Sequence, residues 1–342
     1  MENNLISIVV PVYHVPKDFL KKCIESIIRQ SYKNIEILIP MNKNDKKCIE
    51  ICQNFQNQDE RIKIIYENTS LCNARNVGEK NAKGKYLMFV DGDDWIEEDM
   101  VKDLYENISS DDNIDLTISC IIKDYTNKKE YYNYDEFENK IYKNEECKKL
   151  QAELLNFNGQ IATAYAKLFN LEFLKKNDLY HDEELKQGAE GLEFNIRVFE
   201  KAQKISFLKK YYYHYMYNEQ SISASPTEEN NYIILKCFEK IRKIIEKSEN
   251  SDELLKRYYN RLDYVIVTTA ISGYFNPQNT EKYSEKKKKF EKYLQENIVK
   301  ETLSQKFYDL DYKRKFILFC IKCRIFWIID LLGKIRYKQK RL

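Results

Sequence analysis

The chain has 342 residues, a length that allows about two or three domains, and 43% of them are hydrophobic, which is enough for a sizeable core. Its 8 glycines and 5 prolines are few, which argues against a turn-rich all-β fold and favours long helices. The net charge of +3 is unevenly spread: residues 313–342 carry ten Lys/Arg and a single acid, so the rest of the chain is net acidic. A basic tail on an acidic body indicates a partner for the tail.

Apolar, strand-like runs alternate with helical patterns through the first 112 residues. Strands are predicted at residues 5–10, 35–39, 62–66 and 85–90, and helices at 18–30, after the N-capping Asp45, and at 71–81. This alternation is typical of a doubly wound, mainly parallel α/β sheet with helices on both faces. Right-handed crossovers bring the carboxyl ends of the four strands to one edge, which is where open α/β sheets bind ligands.

An acidic turn, Asp91-Gly92-Asp93-Asp94, follows the fourth predicted strand. Clustered carboxylates repel one another unless a cation neutralises them, and Mg²⁺ or Mn²⁺ fits such oxygen ligands and would also hold phosphates. The alternative is an acidic turn in which Asp94 caps the next helix.

The chain lacks GxGxxG after its first strand and GxxxxGK[ST], so neither a dinucleotide site nor a P-loop is expected. Arg75 is the first candidate to hold phosphate, with an ordinary surface arginine as the alternative.

The pattern changes after residue 112. Residues 113–225 are predicted to contain a strand at 113–122, a polar, Tyr-rich loop or hairpin at 123–144 and a helix at 147–157. Residues 226–342 are predicted to be mostly helical, with helices at 228–247, 251–272, 282–300 and 316–332. We therefore divide the chain into regions 1–112, 113–225 and 226–342.

The amino end and the cysteines predict a cytoplasmic protein. Residues 1–4 lead directly into a predicted strand, without a signal-peptide pattern. No run of about 18 uncharged apolar residues occurs, so no membrane-spanning helix is expected. The 9 cysteines are odd in number and irregularly spaced, which indicates free thiols in a reducing compartment.

Five motifs occur in a fixed order along the first 95 residues. They are SIVVPVY at 7–13, CIESIIRQSY at 23–32, NIEI at 34–37, NARN at 73–76 followed by Gly78, and GKYLMFVDGDDW at 84–95. Together they resemble the family 2 glycosyltransferases, which have the GT-A fold. The resemblance is close over residues 5–115 and looser as far as Ser223. It implies a GT-A-like sheet followed by a mostly helical C-terminal region.

The resemblance also implies where the donor binds. The positions that match those lining the nucleotide sugar are Pro11, Tyr13, Arg75, Asp91 and Gly92. Family members usually have an Asp-Gly-Ser-type turn after the second strand, and its Asp holds uracil. Asn42 stands at that position here and can pair with a base edge, while Lys43 replaces the glycine. The expected donor is a nucleotide-diphosphate sugar, with UDP as the first choice of nucleotide.

The metal site follows from the same resemblance. Asp93 matches the metal-binding acid and Asp91 lies beside it, so the expected cofactor is Mn²⁺ or Mg²⁺. Asp94 is expected to hold the turn. His214, in a tyrosine-rich strand, is a further candidate for the metal or the diphosphate, and the alternative is a histidine that only packs.

A sugar transfer that inverts the anomeric carbon needs a carboxylate to take the proton of the attacking hydroxyl. Family members resemble one another in a Glu-Asp pair that opens a helix. Glu190 matches the Glu, whereas Gly191 stands where Asp is usual. Glu190 is therefore the candidate base, and Glu193, one turn further on, is the second candidate. The alternative is that both acids only open a helix whose dipole favours them.

The C-terminal helix predicted at 316–332 carries an apolar stripe. On a helix, one face would hold Leu318, Ile321, Ile325, Ile328, Ile329 and Leu332. A stripe next to the basic residues 334–341 fits an element that lies in the surface of an anionic membrane. The alternative is a helix packed on the body of the protein with a solvated basic tail.

The sequence thus predicts an inverting, metal-dependent glycosyltransferase. Residues 1–112 would bind the nucleotide sugar, and residues 113–225 would bind a surface-glycan or lipid-linked saccharide acceptor. Residues 313–342 would contact the inner face of the cell membrane, and no nucleic-acid partner is expected. Two other classes stay open. Asn42 and Gly191 allow a catalytically decayed nucleotide- or sugar-binding protein, and the alternating fold with metal carboxylates allows a sugar nucleotidyltransferase.

Overall fold

The computed structural model describes residues 4–67, 70–111, 113–125, 127–156, 160–185, 189–217, 228–306 and 310–339. The chain divides into two compact units. The first contains residues 1–154, 158–186 and 190–219, and the second contains residues 155–157, 187–189 and 220–342. The regions 1–112 and 113–225 thus fall mainly in one unit, and the boundary predicted at 225–226 lies outside the described residues.

A ten-stranded mixed sheet forms the centre of the described part of the first unit. Its strands are β1 (Ile6–Val9), β2 (Ile35–Met41), β3 (Ile62–Tyr66), β4 (Tyr86–Phe89), β5 (Trp95–Ile96), β6 (Leu116–Asp124), β7 (Lys129–Tyr131), β8 (Ile141–Lys143), β9 (Lys167–Asn170) and β10 (Lys204–Met216). The order is β3-β2-β1-β4-β9-β6-β10-β5, with β7 on β6 and β8 on β10. Strands β1 to β4 are parallel, while β9 runs antiparallel to both β4 and β6.

Seven helices accompany the described part of this sheet. They are α1 (Lys17–Ile28), α2 (Lys46–Gln56), α3 (Leu71–Asn81), α4 (Met100–Ile108), α5 (Glu145–Glu153), α6 (Leu171–Lys176) and α7 (Glu190–Lys201). Every residue of β1, β2 and β4 is buried, as expected for parallel strands covered on both faces. The prediction of a GT-A-like α/β sheet flanked by helices is confirmed, but the sheet is mixed: in the described part of the chain four strand pairs are parallel and five are antiparallel. The loop or hairpin predicted at 123–144 contains β7 and β8.

The described part of the second unit is helical, as predicted. It contains α8 (Glu228–Ile245), α9 (Ser251–Thr268), a π-helical turn (Thr269–Tyr274), α10 (Tyr283–Tyr293), α11 (Asn297–Ser304), α12 (Tyr312–Lys322) and α13 (Phe326–Gln339). The single helices predicted at 282–300 and 316–332 are wrong, because each span is split between two helices. Among the described residues, no helix is both long enough and apolar enough to cross a membrane.

The break between α12 and α13 has a clear physical cause. Arg324 has a φ of 59°, in the left-handed region that ends many helices. The N–H of Ile325 donates to the carbonyl of Cys320 at 2.8 Å, and the N–H of Arg324 donates to Ile321 at 3.1 Å. These bonds satisfy the last carbonyls of α12, so the chain can turn into α13 without a glycine.

Candidate active site

The acidic turn lies at the carboxyl end of β4, and Asp94 ties it to β10. Asp94 is 1% exposed and accepts hydrogen bonds from the Tyr213 hydroxyl at 2.7 Å and the Met216 N–H at 2.8 Å. The Tyr213 oxygen in turn accepts from the N–H of Asp91 at 3.1 Å. Since α4 begins after Asp99, Asp94 does not cap the next helix. These contacts match the expectation that Asp94 holds the turn.

Asp93, unlike Asp91, has no cationic partner among the described residues. Burial, and after it the charge of Asp91, raises the pKa of Asp93 to about 6. Within the part of the chain that the structure describes, no Lys or Arg lies at ion-pair distance from its carboxylate. A carboxyl group in this state gains from a nearby cation, because opposite charge favours its ionised form.

Arg75 joins two of the predicted site acids. Its Nη2 lies 2.8 Å from Oδ1 of Asp91, and its Nη1 lies 3.4 Å from Oε1 of Glu190. The side chain is 2% exposed, so the interpretation of Arg75 as a surface arginine is wrong. Burial alone would lower the pKa of Arg75, but the charges of Asp91 and Glu190 raise it overall. The guanidinium therefore stays charged and holds the end of β4 close to the start of α7.

The two candidate bases differ in how they are engaged. Glu193 is 3% exposed and forms a two-point ion pair with Arg197, at 2.6 and 2.8 Å. The Glu190 side chain is 12% exposed, and only its Oε1 contacts Arg75. Its Oε2 is buried and has no hydrogen-bond partner among the described residues. Of the two acids, Glu190 is the one with an oxygen left to accept a proton.

Gly191, which stands where family members usually have Asp, lies close to a neighbouring stretch of backbone. A Cβ atom on Gly191 would lie 3.1 Å from the nitrogen of Ala164 and 3.2 Å from the carbonyl oxygen of Ala162, both backbone atoms. The Asn195 side chain fixes the same approach by donating to the carbonyls of Ala162, at 3.1 Å, and Gly191, at 2.7 Å. A side chain at this position would require that backbone to shift by a few tenths of an ångström, and in this chain Glu190 has no acidic neighbour in sequence.

The predicted nucleotide positions lie on neighbouring strand ends. Val12 pairs with Met41 in an isolated parallel bridge, which brings the segments after β1 and β2 together. Tyr13 is 48% exposed, and Pro11 is buried. Asn42 is half-buried, and its Oδ1 accepts from the N–H of Asn44 at 2.8 Å. The Tyr13 ring is thus free to contact a ligand, whereas the side-chain oxygen of Asn42 already accepts a hydrogen bond within its own turn.

Asp45 has a second contact that its capping pattern did not reveal. Its carboxylate accepts from the N–H of Cys48 at 3.3 Å, as an N-cap, and also from the N–H of His14 at 2.9 Å. The second bond fixes the segment that carries Tyr13. Sequence analysis missed this bond and the Tyr213 link to the acidic turn, although the Tyr-rich motif at 211–215 was the available signal.

His214 is fully buried, and both of its ring nitrogens are engaged. Nε2 lies 2.9 Å from Oε1 of Glu97, and Nδ1 lies 3.1 Å from the carboxylate of Asp124. The ring stacks on Trp95 with 3.5 Å between centroids. No ring nitrogen is left for a metal ion, so the structure favours the alternative in which His214 packs.

The donor set at the acidic turn can be compared with what a divalent ion requires. Among the described residues, no group of three or more His, Cys, Asp or Glu side chains is arranged to hold a metal. Mg²⁺ at phosphate sites is commonly held by one or two carboxylates together with substrate phosphates. Asp93, with its unpaired carboxylate, and Asp91 next to it fit that mode of binding. They do not fit an ion held by protein ligands alone.

The strand order and the flanking helices are those of a GT-A-like fold. The model of the family described as "Glycosyl transferase family 2" matches residues 7–177, half of the chain. The chain belongs to glycosyl transferase family 2.

Individual proteins agree with this assignment. Glycosyltransferase GlyA of Streptococcus pneumoniae is 31% identical over 78% of this chain and 38% of its own length. The poly(ribitol-phosphate) beta-glucosyltransferase of Bacillus spizizenii is 26% identical over 62% of this chain and 32% of its own. The chain thus spans about a third of the length of these relatives. The structure of S. aureus TarS 1-349 in complex with UDP-GlcNAc has the same fold, with a TM-score of 0.65 and 18% identity over 98% of this chain and 92% of that one.

Proposed function

We propose that this protein is an inverting, metal-dependent glycosyltransferase. It would move a sugar from a nucleotide-diphosphate sugar, with UDP as the nucleotide, to a hydroxyl of a surface-glycan or lipid-linked saccharide acceptor. The observation that carries the proposal is the Arg75 bridge, which joins Asp91 at 2.8 Å to Glu190 at 3.4 Å. It brings together Asp91, a proposed metal ligand, and Glu190, the proposed general base, where both substrates of the transfer would have to meet.

Donor binding is assigned to the ends of β1 and β4. The ring of Tyr13 is exposed and can lie against the nucleotide. The hydrogen bond from the N–H of His14 to Asp45 fixes the backbone next to it. Asp93 and Asp91 would hold a Mn²⁺ or Mg²⁺ ion, which when bound neutralises the leaving diphosphate. UDP is supported by the shared fold with TarS, which binds UDP-GlcNAc.

Proton removal is assigned to Glu190. Because Oε1 contacts Arg75, the acceptor hydroxyl would give its proton to Oε2, the oxygen without a partner among the described residues. The Arg75 contact would orient the Glu190 carboxylate before the acceptor arrives. The hydroxyl oxygen then attacks the anomeric carbon from the face opposite to the leaving diphosphate, and this inverts the anomeric configuration.

The acceptor class is supported by a relative that acts on poly(ribitol phosphate), a polymer with many hydroxyls. We propose an acceptor of the same broad kind, a bacterial surface glycan or its lipid-linked precursor. Such an acceptor is assembled at the inner face of the cell membrane. The proposed location is therefore the cytoplasm, peripheral to that membrane.

The test is thermal unfolding with UDP-, GDP- and dTDP-sugars, with and without Mn²⁺. We expect one donor to stabilise the protein in a Mn²⁺-dependent way, by about 2.7 kcal/mol at a hundredfold excess over its Kd. Asp93→Asn should lose this stabilisation. The matched control is Asp99→Asn, the same change at an exposed acid whose side chain makes no capping bond.

Product analysis separates this proposal from the two alternatives. A nucleotide- or sugar-binding protein without activity would be stabilised by a donor but would release no UDP with any acceptor. A nucleotidyltransferase would release pyrophosphate from a sugar phosphate and a nucleoside triphosphate. Either result would contradict glycosyl transfer.

A further inference from the structure

The helices α12 and α13 have apolar side chains on two opposite faces, and one face is packed. Leu318 and Ile321 of α12 and Ile329 of α13 are fully buried. Gly333 lies so close to the π-helical turn that a Cβ there would be 2.4 Å from the carbonyl oxygen of Phe275. The stripe that the sequence assigned to a membrane therefore packs, at these positions, within its own unit. These buried positions of the stripe are therefore not available to contact a membrane.

On each helix, the side opposite to the packed one is an apolar surface in contact with water. We call it the exposed apolar face, and it consists of Tyr312, Phe316, Phe319, Trp327, Leu331 and Ile335. These side chains are between 44% and 77% exposed. They recur every three or four residues along each helix, so they form one continuous stripe per helix. Single exposed apolar residues are ordinary, but a grouped set marks an interaction surface.

Basic side chains surround this face. The exposed ones are Lys313, Lys315, Lys322, Arg324, Lys334 and Lys338. The acid within residues 313–342 is Asp330, and it is paired with Lys334 at 2.6 Å. The basic residues Lys340 and Arg341 lie outside the described part of the chain. The surface thus combines aromatic and aliphatic side chains with a strong excess of positive charge.

This combination decides between two possible occupants. A second copy of the same chain, docked face to face, would bring two positively charged surfaces together, which is unfavourable. The surface of an anionic bilayer offers negative headgroups to the lysines and an acyl boundary to the aromatic rings. We propose that the exposed apolar face of α12 and α13 binds an anionic lipid bilayer, with both helices lying parallel to its surface. Its role in bringing the enzyme to a lipid-linked acceptor rests on the proposed function, whereas the contact itself does not.

The first test is flotation of the full chain with vesicles of phosphatidylcholine, with and without phosphatidylglycerol. We expect binding only to the anionic vesicles, weakening as salt is added. The double variant Lys315→Glu with Lys338→Glu should bind at least about tenfold more weakly, because each basic residue near an anionic surface contributes about a fivefold factor. The control is Lys287→Glu with Lys288→Glu, which changes the same charge on exposed positions of α10 and should bind like the unmodified protein.

The second test uses the position of Trp327, one of two tryptophans in the chain. Lipids brominated in their acyl chains should quench its fluorescence, and Trp327→Phe should remove that quenching. Trp95 is stacked against His214 in the first unit and serves as the internal reference. Both tests omit donor and metal, so a failure of glycosyl transfer would leave their results unchanged.

Three results would overturn the proposal. One is equal partition of the full chain with neutral and anionic vesicles, and another is an equal loss of binding in the α10 control. The third is a dimer in light scattering that Phe316→Ser with Trp327→Ser converts to a monomer, together with absence of vesicle binding. That outcome would assign the exposed apolar face to a second copy of the chain.

Discussion

The acidic edge of the first unit and the basic helices of the second unit differ in whether their charged groups are buried or exposed. At the sheet edge, charged groups are mostly buried, and Arg75 is paired with Asp91 and Glu190. On α12 and α13 the charged groups are exposed, and apolar side chains such as Trp327 are exposed with them. Each arrangement departs from ordinary burial at a cost in stability. We infer that a departure of either kind indicates a ligand: a small, highly charged one at the edge and an extended, amphipathic one on the helices.

The largest effect is expected at the buried side of this comparison. Glu190→Gln should lower turnover by about 10²- to 10⁴-fold, because a positioned general base contributes that much. Donor binding should remain within a few-fold, since the Asp91 contact of Arg75 is kept. The measurement is steady-state transfer to an acceptor, together with the thermal shift produced by donor and Mn²⁺.

Glu193→Gln is the matched control for this prediction. It makes the same chemical change one turn further along α7, where the acid is paired with Arg197 instead of having an open oxygen. We expect a loss of stability with turnover largely retained. If Glu193→Gln abolished transfer while Glu190→Gln kept it, the roles assigned to the two acids would have to be exchanged.

The sequence predicted local structure better than contacts between distant residues. Strand β3 and helix α3 match their predicted bounds to the residue, because apolar periodicity and the flanking turn residues are local signals. The Arg75 contact with Glu190 spans 115 positions, and no spacing rule reports it. The break at Arg324 was missed because helices that end in the left-handed conformation usually have glycine there.

Patterns of residues also failed to say which face of an element is covered. The apolar residues predicted to form one stripe at 316–332 lie on two helices, and the burial of those on α13 depends on the π-helical turn against which it packs. In the same way, the Tyr-rich motif did not reveal that Tyr213 and His214 of one strand contact different acids, Asp94 and Asp124. Burial and partner identity come from tertiary packing, and this is why family resemblance located the site but could not assign the state of each side chain.

A smaller effect is expected from Asp93, and its sign depends on pH. Its folded-state pKa of about 6 lies above the ordinary value of 3.8, so its contribution to stability is fully present below pH 3.8 and lost as the pH rises through 6. Asp93→Asn carries no charge and should make the ligand-free protein about 1–3 kcal/mol more stable than the unmodified chain at pH 8, but not at pH 4. Urea unfolding between pH 4 and 8 measures this difference.

Binding of the donor should make the unmodified protein, instead of Asp93→Asn, the more stable of the two at high pH. With Mn²⁺ and a nucleotide sugar the unmodified protein gains stability above pH 6, where Asp93 is ionised, and loses that gain below pH 6. Asp93→Asn should show no such gain at any pH. A stability difference between the two proteins that does not change with pH would show that Asp93 is not the titrating group.

The last comparison is between the packed and the exposed face of α13, and the smallest effect is expected on the exposed one. Gly333→Ala should cost about 1–3 kcal/mol, because the added methyl would lie 2.4 Å from a backbone oxygen, that of Phe275, and the helix would have to move. Trp327 lies six positions earlier and is 63% exposed. Trp327→Ser should change stability by no more than about 0.5 kcal/mol, although it is a much larger change in side-chain size than Gly333→Ala. Chemical denaturation of both variants without vesicles tests the pair. A large loss of stability in Trp327→Ser would mean that this ring packs within the protein, and the exposed apolar face would then lose its central residue as a contact for lipid.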